Sequence, residues 1–249
     1  FDSLWPSDDP SPKRALAARL LRGESATYEQ ELKRADGHPI TVIVTDAPHF
    51  DAHGILRGVI LTITDISERK ASEQRIHYLA THDPLTGLAN RAMFLDQMNT
   101  SLLIAQRHHT RFALLFLDLD RFKEINDTLG HPVGDELLIT AARRMRQALR
   151  ASDLLARQGG DEFMILLHDI HSMEEALGVA EKIRHAINQP FTLDGAERLV
   201  SVSIGIALYP DHGTSIEILT RNADAAMYRT KTAGRNGTSA AGDAPSPST

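Results

Sequence analysis

The stretch LLARQGGDEFMILL, residues 154–167, decides how this chain is read. Leu154–Arg157 and Glu162–Leu167 are apolar enough for buried strands, and Gln158–Asp161 between them carries the paired glycines of a tight turn. A two-stranded hairpin does not stand alone in water, so it must belong to a larger sheet. Outward from it, Phe112–Leu117 and Leu199–Leu208 supply further apolar strands. Helix-forming segments fall at Arg91–Gln106, around Asp135–Leu149, at Met173–Asn188 and at Ser215–Thr230. From Phe112 onward the order is βαββαβ, which predicts an α+β domain of ferredoxin-like type.

In that fold two acidic strand ends become neighbours. Asp118-Leu119-Asp120 closes the first strand, and Gly159-Gly160-Asp161-Glu162 occupies the hairpin turn. Asp118 and Asp161 on adjacent strands would lie about 5 Å apart. Carboxylates that close repel unless a cation sits between them, and all-oxygen ligation suits Mg²⁺. The two glycines leave the turn backbone open to an approaching phosphate. With Glu162 as a further carboxylate, the pattern suits metal-assisted phosphoryl or nucleotidyl transfer. Spacing alone admits a second reading, a solvated acidic turn that binds nothing.

Around the hairpin stand HDPLTGLANR (82–91), FLDLDRFKEINDTLGH (116–131), GDELL (134–138) and ADAAMYRTKTAGRN (223–236). Together with Gly159-Gly160-Asp161-Glu162-Phe163, they make residues 79–237 closely resemble the GGDEF domain family, the diguanylate cyclases. The resemblance implies a palm-like catalytic sheet and condensation of two GTP into cyclic di-GMP with release of pyrophosphate. It implies that Asp118, the Leu119 carbonyl and Asp161 hold Mg²⁺, or Mn²⁺ in its place, on the GTP phosphates. Glu162 would assist deprotonation of the ribose 3′-OH, directly or through a second metal. Asn126 and Asp135 would read guanine, whose N1–H and N2–H₂ groups donate to a carboxylate where adenine offers an acceptor. Lys123, Lys231 and Arg235 would meet phosphates, with Gly160 against the substrate. One such domain binds one GTP, so a homodimer is expected, each 3′-OH attacking the other α-phosphate. Ala89 stands where the family often has Pro, and Gln158 replaces a usual Leu or aromatic residue. Neither removes a chemical group from the site.

Arg150-Ala-Ser-Asp153 lies at the interval from Gly159 where the family carries its inhibitory RxxD site for cyclic di-GMP. Arg pairs with guanine O6/N7 or phosphate, and Asp accepts from the guanine edge. A third position, filled by Arg in some members, matches Lys182, which lacks the bidentate fork. His82 and His131 fall inside family segments, whereas His108, His109, His168 and His171 show no metal-ligand spacing and read as surface residues.

Upstream, Thr27–Arg34, Pro39–Asp46 and Ile55–Thr64 read as a three-stranded antiparallel meander, with Asp36-Gly37 as a hairpin turn. YEQELKRADGHPITV (28–42) and GVILTITDISERK (58–70) resemble the C-terminal strands of a PAS domain, about half of the family's length. No ligand is assigned to it. The expected organisation is a partial PAS domain at 1–66, a linker helix at 67–80, the cyclase domain at 81–237 and a disordered tail at 238–249. Ile66, Ile76, Leu79 and Ala80 form a narrow apolar stripe on the linker, which suits either a solvated connector or a dimerising stalk. Residues 13–22 are helix-prone behind an irregular Pro- and Asp-rich lead-in.

Composition narrows the alternatives. The 249 residues contain 33 acidic and 27 basic side chains and no cysteine, which excludes thiolate metal sites, thiol catalysis and disulfide scaffolds. A net charge of −6 argues against a nucleic-acid partner. No apolar run approaches a membrane span, so no membrane contact is expected from this segment and the cytoplasm is the expected location. Two rivals to an active cyclase remain at this point, a silent cyclic di-GMP receptor using Arg150 and Asp153 and a dimerisation module with a silent cyclase.

Overall fold

The computed structural model describes residues 17–242. The chain divides into two units, Phe1–His77 and Tyr78–Thr249. The lead-in at 1–12, the first part of the 13–22 segment and residues 243–249 lie outside the described residues, while 17–21 are helical.

In the first unit β1 (Ala26–Lys33), β2 (Pro39–Phe50) and β3 (Leu56–Asp65) form an antiparallel meander in sequence order. Gly37 adopts φ 86°, the left-handed turn conformation that glycine accepts without strain. One face of β2 buries Val42, Val44 and Asp46. The alternation on β3 is weaker than its sequence suggests: Val59 and Leu61 are half-buried, but Ile63 and Ile60 are exposed. At the end of β3 the Ser67 amide donates to Asp65 Oδ1 (2.9 Å) and the Thr41 amide donates to Ser67 Oγ (3.0 Å), starting α1 (Ser67–Thr81). Of the apolar stripe expected on this helix, Ile66 is buried, while Ile76 and Leu79 are exposed.

The second unit holds α2 (Arg91–His108), β4 (Phe112–Leu119), α3 (Phe122–Leu129), α4 (His131–Ala148), β5 (Leu154–Gly159), β6 (Glu162–Leu167), α5 (Met173–Ile187), β7 (Phe191–Leu193), β8 (Ala196–Arg198), β9 (Val202–Tyr209), α6 (Ile216–Thr232) and β10 (Gly237–Ala240). Its main sheet has the order β10-β9-β4-β6-β5, all antiparallel except the β10–β9 pair. Strands β4, β5, β6 and β9 carry the βαββαβ connection, so the ferredoxin-like, palm-type α+β reading holds. Helices cover both faces. Leu115, Leu117 and Leu119 pack with Leu137, Ala141 and Met145 of α4 and Ala180 and Ile183 of α5. Leu114 and Phe116 face Phe94 and Met98 of α2 and Leu219, Ala223 and Met227 of α6. At Gly205 a Cβ would stand 2.0 Å from the Ala223 carbonyl oxygen, so α6 lies directly on β9 where that side chain is missing.

Two expectations are corrected. The loop expected between the first strand and the helix near Asp135 contains α3, and α4 begins earlier, at His131. The start of the tail expected to be disordered, 238–240, instead enters the sheet: Thr238, Ser239 and Ala240 pair with Ile204, Gly205 and Ile206, while 243–249 lie outside the described residues. Small side chains suffice there because the order comes from the backbone ladder on the edge of β9.

Candidate active site

The chemistry gathers where β4 ends beside the β5–β6 turn. Asp118 pairs in register with Glu162, and the Leu119 amide donates to the Asp161 carbonyl at 3.2 Å. Gly159 and Gly160 hold φ values of 150° and 55°, with open space where their Cβ atoms would be. The turn is therefore glycine for conformation and presents bare backbone outward.

Asp118 is buried, and Lys231 Nζ of α6 lies 2.6 Å from its Oδ2. Burial pushes the Asp118 carboxyl up to about 6; the hydrogen bond from Lys231 pulls it down, while Asp161 and Asp120 add to the rise. Burial also raises Glu162, helped by the charges of Asp161 and Asp224 against that of Lys231. Among the described residues no three His, Cys, Asp or Glu side chains form a metal cage, so Glu162 does not join Asp118 and Asp161 around one point. Two carboxylates and a backbone carbonyl nevertheless fit Mg²⁺, which takes one or two protein carboxylates and fills its octahedron with phosphate and water oxygens. A buried acid crowded by a second acid and already paired with an ammonium is a position built for positive charge.

Asp120, next in line, does something else. Its carboxylate accepts from Ser201 Oγ (2.6 Å), Ser203 Oγ (2.7 Å) and the Asn236 amide (3.0 Å). It thereby ties the end of β4 to the start of β9 and to the turn at Gly234–Asn236, where Arg235 stands exposed at φ 64°. Arg157 is a second organiser. Its guanidinium donates to the Gly160 carbonyl from Nε (2.9 Å) and Nη2 (2.8 Å) and pairs with Asp83 at 3.1 Å. Asp83 in turn accepts from the Thr86 amide and hydroxyl. The glycine turn is thus clamped to the HDPLTGLANR loop.

On α3, Lys123 is exposed and Asn126 is half-buried. Asn126 Oδ1 is buried without a hydrogen-bond partner, and a Cβ at Gly134 would stand 1.9 Å from it. Gly134 is what lets the Asn126 amide lie against the first turn of α4, one residue before the exposed Asp135. The roles of Gly134, Asp83, Arg157 and Asp120 were not legible in the sequence, although all four stand inside the segments quoted above, because the partners of Asp83, Arg157 and Asp120 are remote in the chain.

Arg150 and Asp153 precede the other end of β5, whose Leu154 is about 17 Å of extended strand from Gly159. Asp153 is buried, with Oδ2 accepting from the Arg150 amide at 3.0 Å, while the Arg150 residue is exposed. Lys182 is exposed on α5. His168 is no loose surface group: Nε2 meets Ser101 Oγ at 2.9 Å and Nδ1 meets the Ser152 carbonyl at 2.8 Å. Gln158 keeps its Oε1 buried and without a partner. No described helix is long and apolar enough to cross a membrane.

Residues 80–237 match the family model described as diguanylate cyclase, GGDEF domain, and residues 1–71 match a PAS fold model. The bifunctional diguanylate cyclase/cyclic di-GMP phosphodiesterase MucR of Pseudomonas aeruginosa is 48% identical over 159 residues, 64% of this chain and 23% of MucR. The chain spans about a third or less of the length of the curated relatives it matches. The solved GGDEF domain of TpbB from Pseudomonas aeruginosa superposes with a TM-score of 0.63 at 46% identity, covering 64% of this chain and 94% of that one. The coiled coil and GGDEF domain of DgcB from Caulobacter crescentus, solved with c-di-GMP, gives 0.63 at 28% identity over 71% of this chain and 93% of that one.

Proposed function

The chain belongs to the GGDEF-domain family of diguanylate cyclases, and from that premise we propose that it condenses two GTP into cyclic di-GMP and pyrophosphate. The observation that carries the reading is Asp118, buried beside Asp161 and the bare Gly159-Gly160 turn and paired with Lys231. Asp118, Asp161 and the Leu119 carbonyl are the atoms that would hold Mg²⁺ or Mn²⁺. The ion would neutralise triphosphate charge. The protein's own groups do the rest. Asn126, whose amide is seated against α4 by the missing side chain of Gly134, and Asp135 hold the guanine edge. Lys123, Lys231 and Arg235 take the phosphates. Glu162, raised from its ordinary value by burial, is a stronger base for the ribose 3′-OH proton.

One site holds one GTP, so two chains must face each other for both 3′-OH groups to attack in line. Arg150 and Asp153, with Lys182 in the third position, form the product-inhibition site, and the PAS-fold unit passes its state to the cyclase through α1. Purified chain with Mg²⁺ is expected to turn GTP, and not ATP, into cyclic di-GMP with a rate per chain that rises with protein concentration. Asp161→Asn should lower turnover by about 10³-fold, the scale of losing a charge-stabilising group. Full activity in that variant removes Asp161 from the metal site. Folded, dimeric protein without product overturns the cyclase reading. Arg150→Ala should relieve inhibition by cyclic di-GMP; unchanged inhibition excludes Arg150.

A further inference from the structure

Away from the active site, His168 makes contacts that the proposed reaction does not use. The ladder that pairs Leu154 with Leu166 sets residue 168, just past β6, opposite residue 152, just before β5. There the imidazole bridges two remote segments. Its Nδ1 stands 2.8 Å from the Ser152 carbonyl, and its Nε2 stands 2.9 Å from Ser101 Oγ on α2. A carbonyl oxygen only accepts, so Nδ1 carries a proton, and in the neutral ring Nε2 accepts the Ser101 hydroxyl. Ser101 is buried, and its hydroxyl also lies 2.9 Å from the Gln97 carbonyl one turn back.

Ser152 lies between Arg150 and Asp153, and its carbonyl belongs to the planar peptide unit that enters Asp153. That plane is held at both edges. Its N–H donates to the Arg150 carbonyl at 3.2 Å, and its C=O accepts from His168. The next carbonyl, that of Asp153, accepts from Arg146 Nη1 at 2.9 Å, and Asp153 Oδ2 accepts from the Arg150 amide at 3.0 Å. Arg146 and Arg150 are local holds, no more than 7 residues from Asp153. His168 is 16 residues from Ser152, and Ser101 is 67 residues from His168. The ring therefore ties the turn to the end of β6 and to α2, whereas the local bonds tie it to the end of α4. A turn with fixed peptide planes presents Asp153 and the exposed Arg150 in one arrangement. A loosened turn lowers the population that is fit to bind, and apparent affinity falls with it.

We infer that His168 is a positioning residue for a cyclic di-GMP site at Arg150 and Asp153, acting through the Ser152 carbonyl and anchored by Ser101. The inference rests on the product-inhibition reading of Arg150 and Asp153, and it adds His168 and Ser101, which the family resemblance does not supply. Neither side chain touches the bound product or the reacting groups in this assignment. They set how well the turn is formed before the product arrives.

The test measures cyclic di-GMP binding to the full chain by titration calorimetry, beside its inhibition of GTP turnover. His168→Ala should weaken binding about five-fold, the scale of one neutral hydrogen bond, and raise the inhibition constant to match. Two conservative variants separate positioning from packing. The Asn amide nitrogen is attached where Nδ1 is and can still donate to Ser152, so His168→Asn should recover most of the affinity. The longer Gln amide reaches toward Ser101 instead, so His168→Gln should bind as weakly as His168→Ala. Ser101→Ala, which removes the anchor and leaves the ring, should weaken binding about two-fold. Initial GTP turnover without added product should be the same in all four. Equal weakening in the Ala, Asn and Gln variants would make His168 a space filler and overturn the inference, as would affinity indifferent to all three. Unchanged affinity in Ser101→Ala overturns the anchoring. If cyclic di-GMP does not bind, or binds Arg150→Ala as tightly as the parent, the product-site reading itself fails and the His168 role falls with it. Affinity lost in Arg150→Ala but kept in His168→Ala sinks the His168 role alone. Without the ring, Ser101 keeps the Gln97 carbonyl, so no buried hydroxyl is stranded and the His168 variants are expected to fold, which thermal melting checks.

Discussion

Strands β3 and β4 are both apolar runs, yet β4 buries all eight of its residues and β3 buries none of its ten. The difference lies in neighbours. β4 has β9 and β6 on its two edges and helices on both faces, whereas among the described residues β3 pairs with β2 alone. An apolar run thus reports what a strand can bury, and its place in the sheet decides what it does bury. Asp118, the acid proposed to hold the metal, sits at the end of a strand packed on both faces, where a small shift would be resisted.

The sharpest way to break this contrast is to lift a helix from the central sheet. Gly205→Val puts a branched side chain where even a Cβ meets α6 backbone at 2.0 Å. The expected loss exceeds about 4 kcal/mol, a large fraction of a domain's stability, and is read by thermal melting. Melting like the parent would show that α6 is not seated on β9. A second comparison sets Leu115→Ala, in the fully buried strand, against Ile60→Thr on β3, whose side is 57% exposed. The first should cost about 3 kcal/mol and the second less than about 0.5 kcal/mol in denaturant titrations. Similar losses in both would mean that β3 is covered in solution.

Gln158→Leu should act in the opposite direction. It replaces an amide whose Oε1 is buried and unpaired, so stability should rise by about 1 kcal/mol, with the midpoint of urea unfolding as readout. A loss instead would indicate that Oε1 is satisfied in solution. The smallest effect belongs to the first unit and to alkaline pH. Burial, with the Asp46 charge, raises the Tyr28 phenol from 10.0 to about 12, and its hydroxyl donates to Asp46 at 3.1 Å. Because the folded pKa is raised, this stabilisation is complete below pH 10 and is lost as pH rises through about 12. Tyr28→Phe should flatten the alkaline fall in stability, seen in unfolding curves across that window. An identical alkaline fall in both proteins would detach Tyr28 from it.

Much of the catalytic unit was legible because its strands are continuous apolar runs separated by glycine turns, as at Leu154–Leu167. The acids at 118 and 161 could be placed side by side from strand order alone. The missing pieces share a cause. α3 has eight mostly polar residues, FKEINDTL, too short for periodicity to declare a helix. β7 and β8 have three residues each, and β10 is made of Gly, Thr, Ser and Ala. The short strands exist because a neighbouring strand completes their hydrogen bonds, and α3 is held by burying Phe122 in the core, both tertiary properties. The Asp120 knot escaped for a related reason: its partners Ser201, Ser203 and Asn236 are 81, 83 and 116 residues away.

The 2.6 Å pair between Lys231 and Asp118 makes the resting site an internal salt. A lone cation arriving at Asp118 would evict the ammonium and leave it without a counterion. A lone phosphate drawn to Lys231 would strand a buried carboxylate in the same way. Only when both arrive together does each half of the pair exchange one opposite charge for another. On the proposed reading, the site would act as a coincidence detector, indifferent to ions taken singly and responsive to a nucleotide that brings its metal along.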